Sequence, residues 1–322
     1  MTLSKNLKIF SGSSHFDLVE RICKNLGVKL SKINIQKYGT GCFEIVLEQN
    51  VRGSKVFVFQ TSIPDNDTLH WQLWELFEII QAVRKSSALE VNVVMPYNSY
   101  ARSDRKWTGR MPIAGKILAE FLETVGIDRY LGVELHSEYE GFFSSKTKID
   151  HLRIYPLIID FLKTKNLSNA YILPADHGAH KRFSLVFDKL NLPCGDVKKR
   201  RLSPNKVIID SIEGDVEGKD IFLLDDEICE ATTVMEIGKT LEKMKAKSLT
   251  VIAAHGLFTG RAVENLRCLK ILKQVAVTDT VPLKKEIRKQ LPIVILPIDK
   301  LIARAIKEIY QQGSVSRLFK IN

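Results

Sequence analysis

The first place where residue types and spacing could do chemistry is a pair of adjacent carboxylates, Asp225 and Asp226, in L-L-D-D-E-I-C-E-A-T-T. The apolar run before them predicts a buried strand, and ligands of open α/β sheets bind beyond the carboxyl ends of strands. Two neighbouring carboxylates repel each other, and the sequence supplies no compensating cation close by. Hydrogen bonds to ribose hydroxyls, or a magnesium ion held through water, would explain the pair.

Two further segments place polar side chains after predicted strands. In P-A-D-H-G-A-H-K-R, Asp176 precedes a helix predicted to begin near Lys181, so it could bind magnesium or a nucleotide, or simply cap the helix. His177 and His180 suggest zinc, but no third ligand lies nearby in the sequence. In L-H-S-E-Y-E-G-F-F, His136 follows another strand, and a lone histidine is more often structural than a ligand.

Two short basic runs could contact phosphate. Residues 102–110, within P-Y-N-S-Y-A-R-S-D-R-K-W-T-G-R-M-P, form either a mobile arm that closes over phosphates or a solvated loop. The run K-K-R-R at residues 198–201 precedes a predicted turn at Pro204 and Asn205. Most such runs are solvated, although a few neutralise a transferring phosphoryl group.

The elements that must position these residues alternate along the chain. Apolar runs rich in β-branched residues predict strands buried on both faces of a mostly parallel sheet, at residues 8–10, 56–60, 90–95, 130–134, 170–173, 220–224, 248–254 and 274–278. Amphipathic stretches predict helices at residues 16–26, 68–87, 113–125, 154–163, 181–190, 232–244 and 298–310. The order βαβα occurs on both sides of about residue 155, which predicts an α/β fold with two domains of similar plan.

Composition narrows the class of ligand. The chain has 322 residues and a net charge of +11, which suits polyanionic ligands. Its basic residues are spread along the chain, which favours a phosphate-rich small molecule over nucleic acid. The five scattered cysteines include no C-x-x-C pair and indicate a reducing cytoplasm. The N-terminus lacks the apolar core of a signal peptide, and no run approaches the ~20 apolar residues of a membrane span.

Taken together and in order, the motifs resemble those of the phosphoribosyl pyrophosphate synthetase (ribose-phosphate diphosphokinase) family. The matching segments begin at about residue 8 and include K-I-F-S-G-S-S-H-F-D-L, Y-A-R-S-D-R-K, P-A-D-H-G-A-H-K-R, L-L-D-D, A-A-H-G-L-F-T-G and S-V-S-R-L-F. The resemblance implies two similar phosphoribosyltransferase-like domains, each a mostly parallel sheet flanked by helices. We expect an N-terminal domain at residues 1–155 with the nucleotide arm, and a C-terminal domain at residues 156–305 with the ribose-phosphate site. Residues 306–322 are expected to pack back on the first domain.

The resemblance also implies an activity. Family members transfer the β,γ-diphosphate of ATP to the C1 hydroxyl of a 5-phosphorylated ribose, with Mg²⁺ as cofactor and AMP as second product. A homodimer or hexamer with small-molecule substrates is implied as well. Matched motif by motif, the implied roles are catalysis for Lys198 and Arg200; ATP binding for Tyr38, Arg102, Asp104, Lys106, Arg110 and His136; acceptor binding for Asp225, Asp226, Glu230, Ala231, Thr232 and Thr233; and metal binding for His136 and Asp176.

The sequence departs from the family pattern in two places. The family's segment reads D-D-x-x-D-T-G-G-T or nearly so, whereas residues 225–233 read D-D-E-I-C-E-A-T-T. The last five of these, residues 229–233, are here called the acceptor loop. Glycines let successive N–H groups converge on a phosphate dianion, bulkier residues restrict that convergence, and Glu230 would repel the dianion. The family's early ATP-contacting segment is replaced by Y-G-T-G-C-F-E, in which Tyr38 offers a stacking face.

The altered loop leads to three hypotheses about function. The first is an acceptor whose 5-phosphate is part of a larger group, with ADP-ribose as the leading candidate and ADP-ribose pyrophosphate as product. The second is an ordinary ribose-5-phosphate diphosphokinase that makes phosphoribosyl pyrophosphate. The third is a non-catalytic regulatory subunit of a synthetase, against which the retained transfer residues argue.

Overall fold

The computed structural model describes residues 6–63, 68–137, 139–203 and 206–319, so the predicted turn at Pro204 and Asn205 lies outside the described residues. The chain divides into two compact units. The first comprises Met1–Leu152, Thr280–Pro282 and Ile298–Asn322, and the second comprises Arg153–Asp279 and Leu283–Pro297. The boundaries between the units along the chain fall at residues 152/153 and 297/298, with residues 280–282 assigned to the first unit. The sequence predicts these boundaries at residues 155 and 305.

The first unit is built on a parallel sheet of β1 (Leu7–Ser11), β4 (Lys55–Phe59), β5 (Glu90–Met95), β6 (Arg129–Val133) and β7 (Lys148–Leu152), in that order. Its helices are α1 (Phe16–Leu26), α2 (Leu69–Lys85), α3 (Ala114–Val125) and α9 (Asp299–Tyr310). A separate antiparallel hairpin joins β2 (Ile33–Lys37) to β3 (Phe43–Leu47). Strands and helices thus alternate as the βαβ pattern predicts.

Burial explains why these segments form these elements. Every residue of β5 after Glu90 is buried, since helices cover both faces of a parallel sheet. In α1, Leu18, Ile22 and Leu26 recur every fourth residue and form its buried face. The C-terminal helix α9 packs against α1, and Asn25 Nδ2 donates to Asp299 Oδ2 at 2.5 Å.

The second unit repeats the plan. Its parallel sheet has the order β14 (Ile293–Leu296), β13 (Leu272–Thr278), β12 (Ser248–Gly256), β11 (Asp220–Ile228) and β8 (Ala170–Pro174). An antiparallel hairpin is formed by β9 (Asp196–Ser203) and β10 (Lys206–Glu213). The helices are α4 (Tyr155–Lys163), α5 (His177–Leu190), α6 (Thr232–Lys243), α7 (Ala262–Arg267) and α8 (Lys285–Gln290). Two mostly parallel sheets flanked by helices confirm the predicted fold class.

The elements that the sequence pattern missed are short, or are partly exposed to solvent. They are the two hairpins and β7, β14, α7 and α8. Helix α5 begins at His177 instead of near Lys181, because Asp176 caps it and its Oδ1 accepts the N–H of Ala179 at 2.8 Å. No helix in the described part of the chain is long and apolar enough to cross a bilayer.

Candidate active site

Parallel pairing of β8 with β11 gathers three carboxylates, here called the carboxylate cluster: Asp176, Asp225 and Asp226. The two strands run together until Pro174 lies opposite Leu224. One chain then continues to Asp176 at the start of α5, and the other continues into Asp225 and Asp226. The pair is buried, with 9% and 7% of the two residues exposed, and Asp176 lies close enough for its charge to act on both.

Two cations from other elements offset the negative charge of the cluster. Arg182, on α5, places Nη1 3.5 Å from Asp226 Oδ2, and only about a tenth of each side chain is exposed. Lys199, on β9, places Nζ 3.0 Å from Asp176 Oδ2. The compensating charge that the local sequence does not supply is therefore provided by the tertiary structure.

The carboxylates of the cluster differ in proton affinity. Burial raises the pKa of Asp225 well above its ordinary value, and the neighbouring charge of Asp226 raises it further. Burial also tends to raise the pKa of Asp176, but Lys199 and the Ala179 N–H outweigh it and lower that pKa. Asp176 is therefore held ionised, while Asp225 retains its proton more readily.

We expect Asp225→Asn to raise the free energy of unfolding by about 1 kcal/mol at neutral pH while impairing turnover. The pKa of Asp225 is raised on folding, so the folded state binds the proton more tightly and wild-type stability falls as pH rises above the ordinary value of 3.8. The gain in free energy of unfolding of Asp225→Asn over the wild type should be small near pH 3.8 and grow toward neutral pH. Urea unfolding across this pH range measures it, and an advantage independent of pH would contradict the assignment.

A control with the opposite sign is available in the same unit. Burial tends to raise the pKa of Asp220, but the Ser248 hydroxyl and Lys247 outweigh it and lower that pKa. The ionised form of Asp220 therefore stabilises the fold above the unfolded pKa, and this contribution is lost in acid. Asp220→Asn should lose stability over the pH range in which Asp225→Asn gains it.

The β9–β10 hairpin decides which cations of the basic run face the cluster. Side chains alternate along a strand, so Lys199 points to the face opposite Lys198 and Arg200. The Lys199 side chain is 20% exposed, whereas those of Lys198 and Arg200 are 64% and 69% exposed. Lys198 pairs with Glu213, and Arg200 Nε lies 2.8 Å from Asp210 Oδ2. The predicted catalytic pair thus lies on the exposed face, and Lys199 lies on the face of Asp176.

Helix α5 is also tied to the start of this hairpin. His180 Nδ1 lies 2.8 Å from Asp196 Oδ1, the first residue of β9. That contact accounts for His180 without zinc. Within the described ranges, no group of three His, Cys, Asp or Glu side chains could hold a metal ion.

The acceptor loop forms its turn without glycine. Ala231 is the N-cap of α6 and adopts φ 56° and ψ 19°, in the left-handed region that non-glycine residues seldom occupy. The first N–H groups of a helix have no carbonyl partner within it, so those of Thr232 and Thr233 can bind an anion. The turn forms at Ala231 at a strain cost of about 1 kcal/mol, and the expectation that larger residues restrict phosphate binding in this loop stays a prediction. Glu230 is exposed and lies against Gly260, where a Cβ would come within 3.3 Å of Glu230 Oε1.

In the first unit, the carboxyl ends of β5 and β6 bring Asp104 and His136 together. His136 Nδ1 lies 3.2 Å from Asp104 Oδ2. Asp104 Oδ1 and Ser137 Oγ are buried and make no hydrogen bond within the described residues. Buried polar atoms without partners are costly, and a cation or a hydrogen-bond donor from a ligand would satisfy the Asp104 oxygen.

The other predicted ATP-binding residues are exposed. Arg102, Lys106 and Arg110 lie on the irregular segment between β5 and α3, and Tyr38 lies on the turn between β2 and β3. The Tyr38 hydroxyl donates to Glu44, and this hydrogen bond raises the pKa of Tyr38. The predicted role of these four exposed residues in binding ATP stays a prediction.

Sequence reasoning missed Lys199, Arg182 and His151. A basic run within a strand presents its side chains alternately to two faces, but the sequence pattern predicts residues 198–201 as a segment before a turn and not as a strand. Arg182 showed no local signal, because its partner Asp226 is distant in the chain. His151, on β7, accepts the N–H of Leu135 at Nε2 over 2.7 Å and so supports the backbone next to His136.

Comparison with known proteins shows which family the chain resembles. A family model described as the N-terminal domain of ribose phosphate pyrophosphokinase matches residues 7–126, and one described as the phosphoribosyl synthetase-associated domain matches residues 169–320. The chain is 37% identical to the ribose-phosphate pyrophosphokinase of Bacillus caldolyticus, over 97% of this chain and 98% of that one. It is 36% identical to the enzyme of that name from Corynebacterium ammoniagenes, over 98% of each chain.

A solved structure agrees with these relatives. Phosphoribosylpyrophosphate synthetase from Mycobacterium smegmatis superposes with a TM-score of 0.87 at 28% identity, covering 96% of this chain and all of that one. Two parallel-sheet units, one with a carboxylate pair at a strand end, define the class as phosphoribosyltransferase-like α/β proteins. Within that class, the chain belongs to the ribose-phosphate pyrophosphokinase family, and it is a diphosphotransferase enzyme. The resemblance seen in the motifs is confirmed.

Proposed function

We propose that the protein transfers the β,γ-diphosphate of ATP to the C1 hydroxyl of ribose 5-phosphate, giving phosphoribosyl pyrophosphate and AMP. The observation that carries this proposal is the succession of a buried carboxylate pair and a helix N-terminus within β11, the acceptor loop and α6. Asp225 and Asp226 suit the ribose hydroxyls, and the N–H groups of Thr232 and Thr233 suit the 5-phosphate. The names of the curated relatives support the same acceptor.

ADP-ribose loses its support as acceptor. Its case rested on an acceptor loop too restricted for a phosphate monoester, yet Ala231 adopts the left-handed conformation that the turn requires. None of the comparisons points to ADP-ribose, and the relatives are named for transfer to ribose phosphate. A regulatory role without catalysis is equally unsupported, since the relatives are named as pyrophosphokinases.

For the catalytic cation, the geometry favours Lys199 over Lys198. Phosphoryl transfer is accelerated mainly by positive charge held where negative charge develops. Lys199 stands against Asp176 on the inner face of the hairpin, whereas Lys198 and Arg200 are exposed and paired with carboxylates of β10. We therefore propose Lys199 as the residue that stabilises the transferred group.

The residues present fit magnesium, which the family uses with ATP. Magnesium prefers oxygen ligands, takes one or two carboxylates from a protein and completes its shell with water and substrate phosphates. Asp176, held ionised, offers such an oxygen in the second unit. Beside His136, the buried Oδ1 of Asp104 offers one in the first unit. When bound, the ion would neutralise charge on the phosphates.

We also propose that the protein forms a homodimer or hexamer, as the family resemblance implies. Exposed aromatic residues on α2 and α3 support self-association. Trp74 and Phe121 are 57% and 54% exposed, and the ring of each packs edge-on against Phe77. Apolar surface of this kind is common where chains associate.

The proposed function is tested by offering the purified protein ATP and magnesium with ribose 5-phosphate or ADP-ribose, and by weighing the products by mass spectrometry. We expect AMP and phosphoribosyl pyrophosphate from ribose 5-phosphate alone. A product heavier than ADP-ribose by a diphosphate would overturn the acceptor assignment. No AMP with either acceptor would overturn the transfer activity itself.

A further inference from the structure

We infer that Asn265, together with residues 257–260, forms a brace that holds the acceptor loop in its phosphate-binding conformation and takes the place of glycine there. The inference rests on the proposed function, because it assigns the acceptor phosphate to this loop. It makes Asn265 a positioning residue for ribose 5-phosphate, although its side chain binds the loop and not the substrate.

Backbone hydrogen bonds form the first part of the brace. The N–H groups of Leu257 and Phe258 donate to the carbonyl of Ile228 at 2.9 and 3.0 Å. The N–H of Thr259 donates to the carbonyl of Cys229 at 3.0 Å. The segment after β12 therefore runs alongside the end of β11 and the start of the acceptor loop, and it binds the last carbonyl of the strand and the first of the loop.

Side chains extend the brace to the residue before the turn. Cys229 Sγ lies 3.0 Å from Thr259 Oγ1. Asn265 Nδ2 donates to the carbonyl of Glu230 at 2.8 Å. Asn265 is itself held on α7, where its N–H donates to Arg261 and the adjacent Leu266 is fully buried. Three successive carbonyls are thus fixed, and the last belongs to the residue that precedes Ala231.

The brace is needed because Ala231 adopts a strained backbone conformation. A left-handed non-glycine residue is strained, and such strain persists only where the surrounding structure enforces it. Glycine would adopt φ 56° without that cost and would need no external support. The brace enforces the same backbone at an alanine, so the N–H groups of Thr232 and Thr233 stay directed toward one anion.

Removing the amide of Asn265 should therefore weaken acceptor binding without removing any group that contacts substrate. For Asn265→Ala we expect the KM for ribose 5-phosphate to rise about 5-fold, as loss of one solvent-exposed side-chain hydrogen bond to a strained loop implies. The kcat and the KM for ATP should change much less. Glu264→Ala is the matched control, because Glu264 lies on the same helix, is exposed, and its side chain pairs with Arg261 and not with the acceptor loop in the contacts described for it.

The decisive variant combines Asn265→Ala with Ala231→Gly. If Asn265 acts by holding Ala231 in a strained conformation, glycine at that position should restore most of the lost affinity for ribose 5-phosphate. A double variant with the same KM as Asn265→Ala would overturn the inference. So would an unchanged KM in Asn265→Ala, or an equal change for ATP and for ribose 5-phosphate.

A readout independent of turnover separates this inference from the proposed function. Hydrogen exchange at residues 229–235 should quicken in Asn265→Ala and stay at the wild-type rate in Glu264→Ala. Unchanged exchange there would overturn the brace even in an active enzyme. A wild-type protein without turnover on ribose 5-phosphate would instead overturn the proposed function, while the exchange rates still decide whether Asn265 supports the loop.

Discussion

Replacing Lys199 by alanine is expected to lower kcat by about 100- to 1000-fold, the usual effect of removing one preorganised charge from a transition state. The Lys199 ammonium lies 3.0 Å from Asp176 at the carboxyl edge of the second sheet, where the transferred diphosphate must pass under the proposed function. The KM for ribose 5-phosphate should change much less, because the acceptor loop is not altered. Steady-state assay of AMP release measures both constants.

Lys198→Ala is the matched control for this prediction. The two lysines are neighbours on β9, yet Lys198 lies on the exposed face and pairs with Glu213. Its side chain lies on the face away from Asp176, and loss of an exposed ion pair costs little stability, so Lys198→Ala should retain most of its turnover. If kcat collapses in Lys198→Ala and survives in Lys199→Ala, the motif-based assignment of Lys198 is right and the geometric argument for Lys199 is wrong.

The second large effect is expected from Arg182→Met, which should lower the free energy of unfolding by about 3 kcal/mol. Arg182 contacts Asp226 at 3.5 Å, and both side chains are nearly buried. Its removal leaves a buried carboxylate pair with one compensating cation fewer, and an uncompensated buried charge is costly. Urea unfolding at neutral pH measures the loss.

A double variant shows whether the loss arises from the ion pair. Asp226→Asn removes the charge that Arg182 offsets, so Arg182→Met combined with Asp226→Asn should regain much of the lost stability. Their coupling in a double-mutant cycle should be large, since the two residues are in direct contact. Additive losses would mean that Arg182 stabilises the fold through its packing on α5 and not through Asp226.

The sequence alone was enough to predict the fold class and the family. Strands buried on both faces require nearly continuous apolar runs, and E-V-N-V-V-M at β5 shows such a run directly. Asp225 and Asp226 were identifiable because they follow one of these runs. The hairpins were missed because their strands are short or largely exposed, so they show no continuous apolar run.

Only the tertiary structure decided how the site is assembled. The pairing of β8 with β11 sets Asp176 beside Asp225 and Asp226, and helix α5 delivers Arg182 to the same cluster. The alternation of β9 places Lys199 on the face of Asp176, and Lys198 and Arg200 on the opposite face. The left-handed turn at Ala231 depends on hydrogen bonds from residues about thirty positions further along the chain. Local sequence cannot show these relations, because strand pairing and packing create them between residues that are far apart in the chain.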